Sequence, residues 1–201
     1  MEIKQIKSMV LGSNTFVVKN NNNSIIIDAG AELESVLAET NGTTVRAIFL
    51  THLHFDHCYN LLSMVNKFNC KVYLFNSEFV NNSDYTLSHM VGGFSLPTNC
   101  YISVCNTNQV NLPGFTVYCH NTAGHSADSV CYQIEDNLFS GDTLFYGTIG
   151  RTDLVTSNRQ DMLNSLEKLK GLIFNTCYSG HGQSSTYAEQ QENINYFLLE
   201  L

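Results

Sequence analysis

Apolar residues in this chain come in short runs separated by polar ones, and the runs are rich in Val, Ile, Phe and Tyr. NTFVVK (14–19), SIIIDAG (24–30), RAIFLTH (46–52), KVYLFN (71–76), FTVYCHN (115–121), SVCYQIE (129–135) and NLFSGD (137–142) read as strands. Helical periodicity is rarer. ELESVLAET (32–40) is short, and DHCYNLLSMVNKF (56–68) starts with Asp56 at its amino end. Later come SNRQDMLNSLEKLKG (157–171), with Ser157 as its cap and Gly171 as its stop, and TYAEQQENINYFLLEL (186–201). The asparagines at 20–23 lie between TFVV and SIIID and predict a hairpin loop. Strands in both halves with helices between them predict a layered α/β sandwich of two sheets. No repeat or change of composition divides the chain, so the expectation is one domain over residues 1–201.

Composition narrows the class of function. With 43% hydrophobic and 14% charged residues the chain is that of a globular protein. Its net charge is −8, and no cluster of Lys or Arg offers a face for nucleic acid. The opening MEIKQIKSMVLGSN has no apolar core of signal-peptide length, and no run approaches a membrane span. Seven cysteines, an odd number without a CxxC pair, fit buried free thiols in a reducing cytoplasm. The expectation is a cytoplasmic protein with neither nucleic acid nor membrane as a partner.

The chemistry concentrates in THLHFDH (51–57). His52 and His54 alternate as they leave a strand and point the same way if the chain stays extended. Asp56 and His57 then turn into a helix start, which brings them back toward the same point. Imidazole and carboxylate together suit Zn²⁺, Fe²⁺ or Mn²⁺ without a thiolate. One cluster cannot fill two metal shells, and three further residues sit in similar settings. His125 in TAGHS, Asp142 in SGDTLF and His181 in SGHG each follow a strand-like run beside small residues that permit close backbone approach.

THLHFDH, TAGHS, SGDTLF and SGHG, in this order, together with IIIDAG near the start, resemble the metallo-β-lactamase fold superfamily over nearly the whole chain. The resemblance implies a four-layer αββα sandwich with two divalent metal ions at one edge, zinc first among them, with iron or manganese as alternatives. It implies that His52, His54 and His125 hold one ion, that Asp56, His57 and His181 hold the other, and that Asp142 bridges them. Asp28 in IIIDAG resembles the family carboxylate that orients a ligand; a plain turn-forming Asp before Gly30 is the other reading.

Two close divalent cations acidify water and polarise a carbonyl, so hydrolysis of an ester-like bond is expected, with Asp56 and Asp142 in the catalytic centre. Histidine rather than glutamate at position 54 disfavours the flavodiiron branch. GDTLFYGTIGRTDL (141–154) is similar to small single-domain glyoxalase II-like proteins, which implies a small-molecule thioester such as S-lactoylglutathione as substrate. Arg151 stands where two-domain glyoxalase II has a substrate-binding lysine; an ion pair with Asp153 is the competing role. The helical domain that supplies much of the glutathione pocket there has no counterpart in this sequence. GRTD also occurs in persulfide dioxygenases of the superfamily, and on that alternative His52, His125 and Asp142 would hold a single iron. A metal-binding protein without catalysis is the alternative from another class.

Other residues have plainer expectations. Tyr146 could donate its hydroxyl to a substrate. His89, in DYTLSHMVGGFSLPTN, belongs to a segment that either walls the pocket or packs on the core. His120 reads as a core or edge histidine, and Cys58 as packing, since a helix turns it about 100° from His57.

Overall fold

The computed structural model describes residues 1–91 and 95–200. Gly92 and Gly93 of the apolar segment, and Leu201 at the end of the last expected helix, lie outside the described residues. The first sheet contains β1 (Glu2–Lys7), β2 (Asn14–Asn20), β3 (Asn23–Ile27), β4 (Thr44–Phe49), β5 (Lys71–Leu74) and β6 (Tyr101–Ser103), side by side in that order. The expected hairpin joins β2 to β3, with Asn21 at φ +51° in its turn. From β3 onward the neighbours run parallel.

The second sheet takes β7 (Gln109–Leu112), β8 (Phe115–Asn121), β9 (Val130–Ile134), β10 (Asn137–Gly141), β13 (Thr176–Ser179) and β14 (Ser185–Thr186), again as neighbours in that order. β8 and β10 share a direction because each is antiparallel to β9, and β13 is parallel to β10. A two-stranded hairpin, β11 (Leu144–Phe145) and β12 (Thr148–Ile149), follows β10.

Alternation along the strands explains the layering. Phe16, Val18, Ile25, Ile27, Ala47 and Phe49 of the first sheet meet Phe115, Val117, Val130, Tyr132 and Phe139 of the second in one buried cluster. The intervening Val17, Ile26 and Ile48 face the other way, onto Val36 of α1 (Leu33–Thr40) and onto Leu61 and Met64. The second sheet likewise turns Cys131, Leu138 and Cys177 toward Met162, Leu166 and Leu169 of one helix and Ile194 of another. Helix, sheet, sheet, helix is therefore the order of layers. Each fully buried Ile, Leu or Phe contributes about 1.5–3 kcal/mol of transfer free energy.

Two local expectations need correction. The helix read over residues 56–68 is two helices, α2 (Phe55–Cys58) and α3 (Leu61–Phe68), broken at Asn60, whose side chain donates to the Gly30 carbonyl at 2.8 Å. After the short α4 (Ser83–Thr86) comes α5 (Arg159–Lys170), capped by Asn158 and not Ser157. The Asn158 side chain accepts the Asp161 N–H, while the Ser157 hydroxyl donates to Leu154 O in the preceding turn. Gly171 stands at the carboxyl end as expected, and α6 (Tyr187–Glu200) follows.

All seven cysteines are free, and Cys58, Cys100, Cys119, Cys131 and Cys177 are buried. Cys58 donates to Leu53 O at 3.2 Å in an apolar setting that pushes its thiol well up, as packing requires. His120 is partly buried and pairs with Gln133 at 3.2 Å. Around His89, itself exposed, Tyr85 and Leu96 pack against the first helix–sheet cluster, so these apolar residues serve the core. Among the described residues, no helix is long and apolar enough to cross a membrane.

Candidate metal centre

Strand direction gathers the site. Asp28 follows β3, His52 and His54 follow β4, and His125, Asp142 and His181 follow β8, β10 and β13. Within each sheet these strands run the same way, so their carboxyl ends share an edge. The two edges are joined there by Val130 N–H to Thr51 O at 2.8 Å and by Asn14 N–H to Gly180 O at 2.7 Å.

Glycines set how closely the loops approach. A Cβ on Gly30 would lie 2.0 Å from Asp56 O, and one on Gly150 would lie 1.9 Å from Asp142 O. In the space this leaves, Ser13 Oγ donates to Asp56 O at 2.7 Å and Ala29 N–H donates to His57 O at 2.7 Å. The loop carrying four of the candidate ligands is thus held through its own carbonyls, by one hydroxyl and one backbone N–H.

All seven sequence-predicted ligands meet. Donor atoms of His52, His54 and His125 lie within 4.8 Å of one another, and so do those of Asp56, His57 and His181. A third set, His52, His57 and Asp142, spans the two. Asp142 Oδ1 is 3.3 Å from His57 Nε2, and its Oδ2 is 3.6 Å from His125 Nε2 and 3.5 Å from His181 Nε2. Asp56 Oδ2 lies 3.1 Å from His181 Nε2 and 3.6 Å from His57 Nε2.

The electrostatics divide the histidines. Burial, helped by the neighbouring histidines, holds His52 well below the usual imidazole range and brings His54 to about 3; burial also lowers His125, against the pull of Asp142. These rings are neutral at pH 7, with lone pairs to offer. His57 goes the other way: burial opposes its charge, but Asp142, Asp56 and Asp28 outweigh it and raise the ring well above its ordinary value. Asp142 and Asp56 stay ionised although burial disfavours it, chiefly because of His57.

The donor set fits divalent cations. His52 Nε2 and Asp142 Oδ1 are buried without a hydrogen-bond partner, and His54 Nδ1 faces His125 Nε2 at 3.0 Å. Two ring nitrogens in contact, with a ring nitrogen and a carboxylate oxygen of the same cluster left without hydrogen-bond partners, are an arrangement that bound cations satisfy. Nitrogen and oxygen donors without thiolate suit Zn²⁺, Fe²⁺ or Mn²⁺.

Asp28, at φ +59°, fills both roles read for it in the sequence: it makes the turn, and its Oδ2 is 2.8 Å from His57 Nδ1. Arg151 enters through its backbone, whose carbonyl accepts from His125 Nδ1 at 3.1 Å. The Arg151 side chain is exposed and bidentate to Asp153 at 2.6 and 2.8 Å, the ion pair that competed with substrate binding. It is Phe145 whose ring meets His181 edge-on, with centroids 6.1 Å apart. Tyr146, half exposed, lines a cavity of about 290 Å³ with Gly147, Glu189, Glu192, Asn193 and Tyr196.

Known proteins resemble this chain in sequence and fold. A Bacillus subtilis protein named Probable metallo-hydrolase YqgX is 34% identical, with 90% of each chain covered. The crystal structure of the BLEG-1 B3 metallo-beta-lactamase superposes with a TM-score of 0.85 at 30% identity, covering 98% of this chain and 99% of that one. TTHA1623, solved in a di-iron-bound form, superposes with a TM-score of 0.80 at 28% identity, covering 94% and 98%. The family model described as the metallo-beta-lactamase superfamily matches residues 9–181. With that span and the four-layer sandwich in hand, this chain belongs to the metallo-beta-lactamase superfamily.

Proposed function

We propose that this protein is a dinuclear metallo-hydrolase that cleaves a small-molecule thioester, of which S-lactoylglutathione is the test case. The observation that carries the reading is Asp142, whose two carboxylate oxygens reach toward histidines of both ligand groups. His52, His54 and His125 would hold one ion, Asp56, His57 and His181 the other, with Asp142 shared. Zinc is the first choice of metal, and iron is supported by the di-iron form of TTHA1623. Hydrolase chemistry is supported by the name of the B. subtilis relative. Free buried thiols support a cytoplasmic setting, and two sheets sharing one central cluster support reading residues 1–201 as one domain.

When bound, two divalent cations acidify water and polarise a carbonyl oxygen. The remaining tasks fall to the chain. Arg151 O and Asp28 each accept from the outer nitrogen of a histidine and so aim its inner nitrogen at the centre. Asp56 and Asp142 supply fixed negative charge that anchors the cations. The Phe145 ring beside His181 forms an apolar side to the site, which favours an acyl group over bulk water there.

The test is hydrolysis of S-lactoylglutathione by the purified protein, stripped of metal and then restored with zinc, iron or manganese. A rate that vanishes on stripping and returns with metal is expected. Turnover of a cephalosporin chromogen without thioesterase activity would overturn the thioester assignment in favour of β-lactam hydrolysis, the activity in the name of the BLEG-1 neighbour. Persulfide oxidation by the iron-loaded protein alone would overturn the hydrolase reading.

A further inference from the structure

We infer that Thr51 is a positioning residue that ties the two ligand groups together: its hydroxyl and the Asp28 carboxylate form one buried hydrogen-bond chain that fixes the tautomer of His52 in one group and the ring orientation of His57 in the other. The inference rests on the proposed dinuclear site and adds to it a residue that touches no reacting atom.

The direction of each bond follows from counting protons. Asp28 Oδ1 accepts the Thr51 N–H at 2.7 Å. Its Oδ2 lies 2.8 Å from Thr51 Oγ1 and 2.8 Å from His57 Nδ1. A carboxylate only accepts, so both of those groups donate to it. A hydroxyl has one proton, and Thr51 has given it to Asp28. Toward His52 Nδ1, at 3.1 Å, the same oxygen can then only accept. His52 therefore carries its proton on Nδ1, and its Nε2 is left as a bare lone pair. That atom is one of the buried atoms with no hydrogen-bond partner. On the other arm, His57 donates from Nδ1, which turns Nε2 toward His181 at 3.3 Å and Asp142 Oδ1 at 3.3 Å.

Burial makes the chain rigid. Thr51 and Asp28 are each 1% exposed and His57 is fully buried, so water cannot substitute for a missing partner. Gly141, at φ +50°, leaves the room Thr51 occupies: a Cβ there would lie 2.5 Å from both Thr51 Cβ and Oγ1. A single carboxylate thus sets one ligand of each ion, and the hydroxyl is the link to the first.

Three proteins test this: wild type, Thr51→Val, which keeps the shape and loses the hydroxyl, and Thr51→Ser, which keeps it. The first readout is the histidine tautomers of the metal-free protein by ¹⁵N–¹H NMR of the rings, which needs neither metal nor substrate. Wild type and Thr51→Ser should show His52 protonated on Nδ1, and Thr51→Val should not hold it there. The second is stepwise titration with Co²⁺, followed by its visible absorption. Thr51→Val should lose 10- to 100-fold in affinity at the first ion and shift the second as well, with Thr51→Ser restoring both. A wild-type His52 protonated on Nε2 overturns the inference even if Thr51→Val does not fold. So does a Thr51→Val protein with both affinities within twofold of wild type. Absence of any Co²⁺ binding by the wild type would instead sink the dinuclear reading, while the tautomer result still decides the chain.

Discussion

Replacing Gly180 with alanine places a methyl group against the carboxylate that both ligand groups share. The new Cβ would lie 2.2 Å from Asp142 Oδ1, 2.8 Å from His57 Cε1 and 3.0 Å from the Gly141 carbonyl carbon. Ordinary van der Waals contact begins at 3.4 Å, so the Asp142 oxygen must retreat by about 1.2 Å, the difference between those two distances. The Gly180 backbone cannot yield instead, because its N–H donates to Gly141 O at 2.8 Å and its carbonyl accepts from Asn14 N–H at 2.7 Å. Metal sites tolerate ligand displacements of about 0.2 Å, so this shift is several times too large. Forcing an extra methyl into a packed region costs about 1–3 kcal/mol, equivalent to a fall of about 2–12 °C in melting temperature for a chain of this length. The expected protein folds, melts lower and holds fewer than two ions per chain, as read by circular dichroism and elemental analysis after gel filtration. Gly182→Ala is the control. It sits at φ +75° with nothing within 4 Å of its Cβ, so it should cost on the order of 1 kcal/mol in backbone strain and keep its metal. A Gly180→Ala protein with full metal content would refute the steric reasoning.

Asp142→Asn should weaken binding of both ions, measured by competition with a chromogenic chelator; loss at one ion only would remove its bridging role. Arg151→Ala should leave melting temperature within a few degrees, since both partners of its ion pair are exposed and screened by solvent, and should raise KM for an anionic thioester. An unchanged KM would assign the side chain to Asp153 alone. Asp128, buried with Oδ1 unpartnered, has its carboxyl raised by burial to about 6 from 3.8. The folded state then binds more protons than the unfolded state between these values, so this group's stabilisation is complete below pH 4 and is lost as pH rises to 6, by about 3 kcal/mol. Melts of Asp128→Asn and wild type across pH 4–7 should show the variant gaining relative to wild type as pH increases. A constant difference would show that Asp128 does not titrate there.

The sandwich and the candidate ligands were legible because both are written in local pattern. The apolar runs at 24–27 and 46–49 name strands on their own, and THLHFDH places four ligand-type residues within one turn of chain. The short edge strands β1, β6, β7, β11, β12 and β14 were missed because too few of their side chains are buried to leave a signature; β1 alternates exposed and half-buried positions over EIKQIK. Backbone roles were invisible for a different reason. Nothing about the Arg151 side chain announces that its carbonyl orients His125. Thr51 opens the motif with no task visible in the sequence, since its hydroxyl gains meaning only once Asp28, 23 residues away, folds beneath it.

The joining of the two sheets at the site edge has a consequence for the order of folding. His57 and His181, 124 residues apart in sequence, approach to 3.3 Å only where the sheets are docked. Contacts of such separation form late, after the loop-closure entropy of both halves has been met. A nascent or partly unfolded chain presents THLHFDH alone, with at most four of the seven ligands. On the proposed reading each ion takes ligands from both halves, so it is kept only by chains whose halves have docked, and tight metal retention doubles as a record of completed assembly.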